Sequence, residues 1–349
     1  MSQKQYAKVG GQAVIEGIMM RSPKKDVLAV RTQNGEIVVE PMEYKTLKGR
    51  VGFFRLPVIR GVVGFIDSLI IGYKSLMRSA EFFADEEDEK DTQKSVEAET
   101  SASDGTNVVE EKKKSAGTSV MLFFSALIGV ILAVAIFIFL PAWIAEGVQW
   151  LVRNVSGNAE WIYPTWLYSV FKGVLRIVIM LAYISLVSLM KDIRRLFQYH
   201  GAEHKAIFCL ENRKELTVEN VRGFGRLHPR CGTSFLLIVF FTSMVFSILI
   251  SLIPVFSNMI TGNIASRMLY TAISILFVPI IAGLSYELQQ YTGRHENLFT
   301  KIVSAPGLAF QKITTREPDD GQIEVAIAAL KESLTNEDGD FDPSLAYKK

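Results

Sequence analysis

Cysteine, histidine and net charge are all scarce in this 349-residue chain. The two cysteines, Cys209 and Cys231, are too few for a disulfide framework and read as reduced thiols in a cytoplasmic setting. A formal charge of only +2 leaves no electrostatic footprint for nucleic acid, so no specific nucleic-acid site is expected. The opening residues, MSQKQYAKVGGQAVIEG, lack an apolar h-region and a cleavage site, so no secretory signal is expected. No internal repeat is visible. What the chain does have is apolar residues, 49% of the total, gathered in blocks.

Four of these blocks have the length of membrane-spanning helices: roughly 120–144, 166–190, 234–255 and 268–287. The second carries Lys172 and Arg176 inside its apolar run, and the fourth is shorter and contains Pro279. Lys and Arg crowd the loop between the second and third spans, from Lys191 through Arg194, Arg195 and Lys205 to Arg230, while the flanking loops are nearly free of them. The basic loop and both termini are therefore expected in the cytoplasm, with Trp143, Trp150 and Trp161 toward the opposite face. The expected fold class is an α-helical integral membrane protein of about four transmembrane helices. A small cytoplasmic β-rich region (1–50), an interfacial or re-entrant helical segment (51–84) and a cytoplasmic C-terminal region (291–349) complete it.

The β-rich region shows itself in VLAVRTQNGEIVVE, two alternating runs about Asn34-Gly35, a dipeptide that supplies the positive φ of a tight hairpin. The segment GRVGFFRLPVIRGVVGFIDSLIIGYKSLM is apolar but broken by Arg55, Pro57, Arg60 and Asp67, which favours a helix in the membrane interface; a full span is the alternative. Residues 85–117 are charged, with almost no apolar content, and are expected to be a disordered linker. Near the end, Pro318, Asp319 and Asp320 signal a helix start, and Ile323, Ile327, Leu330 and Leu334 form one apolar stripe.

Chemistry concentrates in YHGAEHK. His200 and His204 are four apart and share a helical face, with Glu203 beside them. HGAEH matches the H-x-x-E-H pattern in which two histidines hold zinc and the glutamate acts as general base on water. The other two histidines, His228 in RLHPRCGTSF and His295 in YTGRHENLF, fall with both cysteines on the same expected membrane face. Two imidazoles do not complete a catalytic metal site, which usually takes three protein ligands plus water. Candidates for the third ligand are Glu287, a carboxylate at the end of the fourth span, and Cys231, together with His228 and His295. Arg226 and Arg230 would favour the Cys231 thiolate. The expected cofactor is a divalent metal, zinc by this pattern. The alternative is that His, Glu and Lys205 make an ordinary solvated helix face. GGQAVIEG reads either as a segment entering the site, with Glu16 or Arg21 touching substrate or metal, or as a tight turn plus a buried strand. Arg176, one turn after Lys172, must point at protein or water, with Asp67 or Glu287 as possible counter-ions.

GGQAVIEGIMMR, YHGAEHK, HPRCGTSF, GLSYE and APGLAFQKITTREPDDGQIEVAIAAL together make the chain resemble the YqhQ-type bacterial membrane proteins through nearly its whole length, the acidic linker aside. That resemblance implies a bacterial inner-membrane location and a family described as a predicted metal-dependent enzyme of unknown function. Three functions compete. The first is a membrane-embedded metal-dependent hydrolase acting on a membrane-associated peptide or lipid-linked molecule. The second is a non-enzymatic biogenesis or regulatory factor whose basic loop contacts ribosome, nascent chain or lipid headgroups, with a protein partner in the membrane. The third is a transporter or channel lined by Lys172, Arg176 and Asp67.

Overall fold

The computed structural model describes residues 7–44, 46–47, 52–99, 124, 127–129, 131–157, 164–295 and 297–347. Contacts divide the chain into two compact units. One comprises 1–85, 183–242 and 274–349, and the other 86–182 and 243–273.

The first unit is built on a four-stranded antiparallel sheet in sequential order, β1 (Gly10–Val14), β2 (Gly17–Arg21), β3 (Asp26–Arg31) and β4 (Ile37–Met42). Strands β2 and β3 read as continuous apolar runs, IMM and VLAV, rather than alternating ones. Such runs belong to strands covered on both faces, and that is how they are used. On one face Ile18, Met20 and Ala29 pack against Tyr199, Ala202 and Ala206 of helix α4 (Lys191–Glu211) and against Ile323, Ala326 and Leu330 of the last helix. On the other, Val14, Met19, Leu28 and Val30 pack on Ile71 of the long helix α1 (Ile59–Glu99).

The β3–β4 hairpin forms where expected, closed from Arg31 to Ile37. Its loop is five residues long rather than two, with positive φ at Gly35 (85°) and not at Asn34. GGQAVIEGIMMR supplies a second hairpin, β1–β2, turned by Ile15 and Glu16. Helix α1 continues through 85–99, where the sequence suggested a linker. Ala, Glu, Gln and Lys are good helix formers, and low hydrophobicity does not prevent a helix from continuing one already nucleated. Residues 100–117 of the expected linker lie outside the described residues.

Among the described residues, three helices are long and apolar enough to cross a membrane: α2 (Leu127–Ser156), α3 (Thr165–Val187) and α6 (Gly232–Ser251). A short helix, α5 (Val218–Arg222), precedes α6 and another, α7 (Pro254–Thr261), follows it. Helices α8 (Ile264–Leu276) and α9 (Val278–Thr292), bent by 42° at their junction, are together long and apolar enough for a broken span or a re-entrant loop. Pro279 stands in the first turn of α9, where its missing N–H and fixed φ suit a helix start and break the run from α8. These are the features of a multi-pass membrane protein.

Two further helices follow. Helix α10 (Leu298–Thr314) starts with an Asn297–Thr300 capping box, and α11 (Asp320–Ser333) with an Asp319–Gln322 one. The stripe Ile323, Ile327, Leu330 and Leu334 is buried, as its spacing predicted.

Candidate metal centre

Helix α4 is polar by composition yet buried nearly all round from Tyr199 to Leu210. The solvated-face alternative is thereby excluded: His200, Glu203, His204 and Lys205 are 8%, 4%, 1% and 3% exposed. Close packing is possible because of two glycines. A Cβ on Gly201 would collide with the Arg316 carbonyl oxygen. One on Gly11 would lie 2.9 Å from the Glu203 Cδ.

Each histidine is held by its Nδ1. His200 Nδ1 lies 2.8 Å from the Thr314 carbonyl oxygen, and His204 Nδ1 bonds the Arg226 carbonyl oxygen. A carbonyl oxygen only accepts, so each Nδ1 carries the proton and each Nε2 keeps its lone pair. His200 Nε2 lies 3.0 Å from Cys231 Sγ. His204 Nε2 is buried with no hydrogen-bond partner. The ligand atoms of His200, His204 and Cys231 lie within 4.8 Å of one another, the three side chains all buried, so that this group could hold a metal ion. Cys231 sits just before α6, and Thr233 points its backbone N–H at the sulfur from 3.4 Å.

Glu203 stands beside the triad with its two oxygens treated differently. Oε1 accepts from the Gly11 N–H at 2.9 Å, while Oε2 is buried without a partner. Burial pushes its carboxyl group above the usual range, opposed by the nearby His200 imidazole and the Gly11 N–H. A cavity of about 630 Å³ adjoins Glu203, His200 and Cys231, walled by Gly10–Ala13 of β1, Ile71 of α1 and Leu196 and Phe197 of α4.

The remaining candidates have other occupations. His228 is buried with its ring 5.5 Å from that of His204, but its Nε2 faces Glu211 Oε2 at 3.6 Å. Burial lowers its pKa, as do the charges of His204 and Arg230, against the pull of Glu211. Arg230 also binds Glu211. Glu287 is paired with Arg60 and accepts from the Val58 N–H at 3.3 Å, holding the start of α1 where Val58 has φ 67°. That is a clamp on a strained β-branched residue, a position of its own in the unit. His295 is exposed and stacked on Tyr291 at 4.3 Å. Glu16 lies in the β1–β2 turn, bound to Arg195 and, at 3.1 Å, to the Tyr199 hydroxyl. Arg21 pairs with Asp26 at 3.4 Å and also borders the cavity. Asp67 accepts from the Tyr44 hydroxyl at 2.7 Å. Arg176 lies in the second unit.

Sequence reasoning missed the groups behind the site: Thr314, which fixes His200, Glu211, and Gln311. Gln311 is fully buried; its Oε1 accepts from the His228 N–H and its Nε2 donates to the His228 carbonyl and to Ser234 Oγ, each at 2.7 Å. The one available signal was polar spacing in the amphipathic run LAFQKITT, which does not say which polar residue faces inward.

Residues 56–336 match the family described as a protein of unknown function (DUF1385). The chain is 32% identical over 330 residues to Uncharacterized protein YqhQ of Bacillus subtilis (strain 168), an alignment covering 93% of this chain and 92% of that one. No solved structure matches it. The chain belongs to the DUF1385 family.

Proposed function

We propose that the protein is a membrane-embedded metal-dependent hydrolase, with its site at the cytoplasmic surface of a bacterial inner membrane and zinc held by His200, His204 and Cys231. The observation that supports it best is the pair of imidazoles whose Nδ1 atoms are pinned to backbone carbonyls, with the Nε2 atom of His204 buried and unpartnered. An imidazole oriented through its far nitrogen is the usual arrangement behind a metal ligand. Two imidazoles and a thiolate suit zinc, and three protein ligands leave a position open for chemistry.

A divalent ion there supplies a Lewis acid toward a carbonyl or phosphoryl oxygen. Glu203 does the proton work. Its Oε1 is anchored on Gly11, which leaves Oε2 to take a proton from attacking water and pass it to a leaving group. Burial raises this carboxyl, the direction that suits a group which must both take and give a proton. The adjoining cavity has the size of a ligand pocket and a mostly apolar wall, with Lys8 and Arg21 at its border. It suits a membrane-associated peptide or a lipid-linked molecule.

Elemental analysis of the purified full chain tests this reading. About one zinc ion per chain is expected in the wild type, retained in Glu203→Gln and lost in His204→Ala and Cys231→Ser. Metal-free wild type, or the same content after His204→Ala, overturns it. A second reading, a cysteine nucleophile activated by His200, has the 3.0 Å Sγ–Nε2 contact in its favour. It gives no role to His204 Nε2. Rapid alkylation of Cys231 that zinc does not slow would favour it.

A further inference from the structure

The apolar helices of the second unit carry charge of nearly one sign. Along 131–157, 164–182 and 243–273 stand Arg153, Lys172, Arg176 and Arg267, against the single carboxylate Glu146. Glu146 is already committed to Arg267, at 3.1 Å. Lys172 and Arg176 lie in the interior of α3, seven and eleven residues from its start. At 1.5 Å per residue that is roughly 10 and 16 Å along a membrane-spanning helix.

The polar groups around them are hydroxyls, which bring no negative charge. Ser169, Lys172 and Arg176, spaced three and four apart, form one stripe of the helix. Lys172 is 7% exposed, and its ammonium lies over the rings of Tyr168 and Tyr270, at 5.2 and 5.1 Å. Arg176 Nε and Ser169 Oγ are both buried with no hydrogen-bond partner. Among the described residues no carboxylate lies within ion-pair distance of either cation. Ring faces attract an ammonium but accept no charge from it. Two cations in an apolar span need an anion, because unpaired charge is costly there.

We infer that Ser169, Lys172 and Arg176 form a binding site for a phosphate group, with Tyr168 and Tyr270 flanking the lysine. Phosphate offers the charge for two cations and enough acceptor oxygens for guanidinium, ammonium and hydroxyl at once. The group can arrive as a phospholipid headgroup or as free phosphate. Exposed apolar residues of the same helix, Val174 and Val178, suit the acyl chains of the first.

The test uses the full chain in detergent and reads thermal midpoint and, by native mass spectrometry, bound adducts. The probes are phosphatidylglycerol, inorganic phosphate, and diacylglycerol and chloride as controls. Wild type should be stabilised by phosphatidylglycerol or by phosphate and by neither control. Binding should weaken about tenfold in Lys172→Met and in Arg176→Gln, the loss of one charge-assisted contact. Unchanged size-exclusion elution and helical circular dichroism verify that the variants fold. A response to phosphatidylglycerol alone assigns the site to lipid, and a response to inorganic phosphate assigns it to the free ion. No response in wild type, or equal responses in wild type and both variants, overturns the inference.

Discussion

Buried polar groups are handled in opposite ways in the two units. In the sheet-bearing unit they are partnered. Glu211 collects the Ala7 N–H, Arg230 and His228. Lys205 binds Glu317 and donates to the Arg222 carbonyl at 3.0 Å. Gln311 is satisfied at both ends. Guanidinium nitrogens aside, the buried side-chain atoms without a hydrogen-bond partner among the described residues of that unit are His204 Nε2 and Glu203 Oε2, and they lie beside the same sulfur-containing group. In the helical unit the imbalance is local to α3: Ser169, Lys172 and Arg176 gather with no carboxylate at ion-pair distance among the described residues. An orphaned lone pair invites a cation, and an orphaned cation invites an anion, so the two units point to ligands of opposite charge.

The comparison can be broken by removing one group from each side. In the sheet-bearing unit, Glu211→Ala strips the partner from Arg230 and His228. Deleting one member of a buried pair leaves the other charge uncompensated, so a loss of about 3–5 kcal/mol is expected in denaturation of the full chain. A loss under half of that would mean the cluster is better hydrated than its burial implies. Gly201→Ala should come next, destabilising by about 1–3 kcal/mol through collision with the Arg316 carbonyl. Helix propensity alone predicts a gain of about 1 kcal/mol, so the sign decides whether α4 is as tightly packed as described.

A pH titration of stability gives a smaller effect. His228 is held below its ordinary value, first by burial, so the folded state disfavours the imidazolium. The unfolded chain takes up that proton first, near pH 6.5, and stability falls as pH drops through that region. Burial pushes Glu211 up, but bonds from His228 and Arg230 and their charges bring it below its ordinary value. Its contribution is present above the unfolded value and fades as pH falls through the folded one. His228→Gln should flatten the first limb of the curve and also shrink the second, because His228 helps to hold Glu211 down; an unchanged first limb would show that His228 does not titrate as its burial requires. The smallest effect belongs to the helical unit. Without added phosphate, Lys172→Met should leave the thermal midpoint unchanged or raise it, because it deletes a buried cation with no carboxylate partner. A clear fall would reveal a partner for Lys172 and erase the contrast between the units.

Much of the architecture was legible because it is written in local order. The spans follow from length and apolarity, the bend from Pro279, the start of α11 from Asp319, and the face of α11 from Ile323, Ile327, Leu330 and Leu334. His200 and His204 were legible for the same reason, since helical spacing places both rings on one side. Less legible was the choice of third ligand. Glu287 and Cys231 were equal candidates by chemistry, and Glu287 is engaged instead by Arg60, 227 positions away in the chain. Glu16, Arg21 and His295 were named from motif context. The structure gives Glu16 a turn and a guanidinium, Arg21 an aspartate and His295 a tyrosine ring.

By itself the sequence determined periodicities: where helices begin, which faces are apolar, which segments can cross a membrane and that two imidazoles share a helical face. These depend on neighbours within a turn or two. Tertiary structure alone decided which distant groups meet: Thr314 behind His200, Arg226 behind His204, Gly11 on Glu203 and Cys231 against both rings. The reason is that a buried polar atom is satisfied by whatever packing brings within about 3 Å of it, and that distance carries no trace in the spacing of residues along the chain.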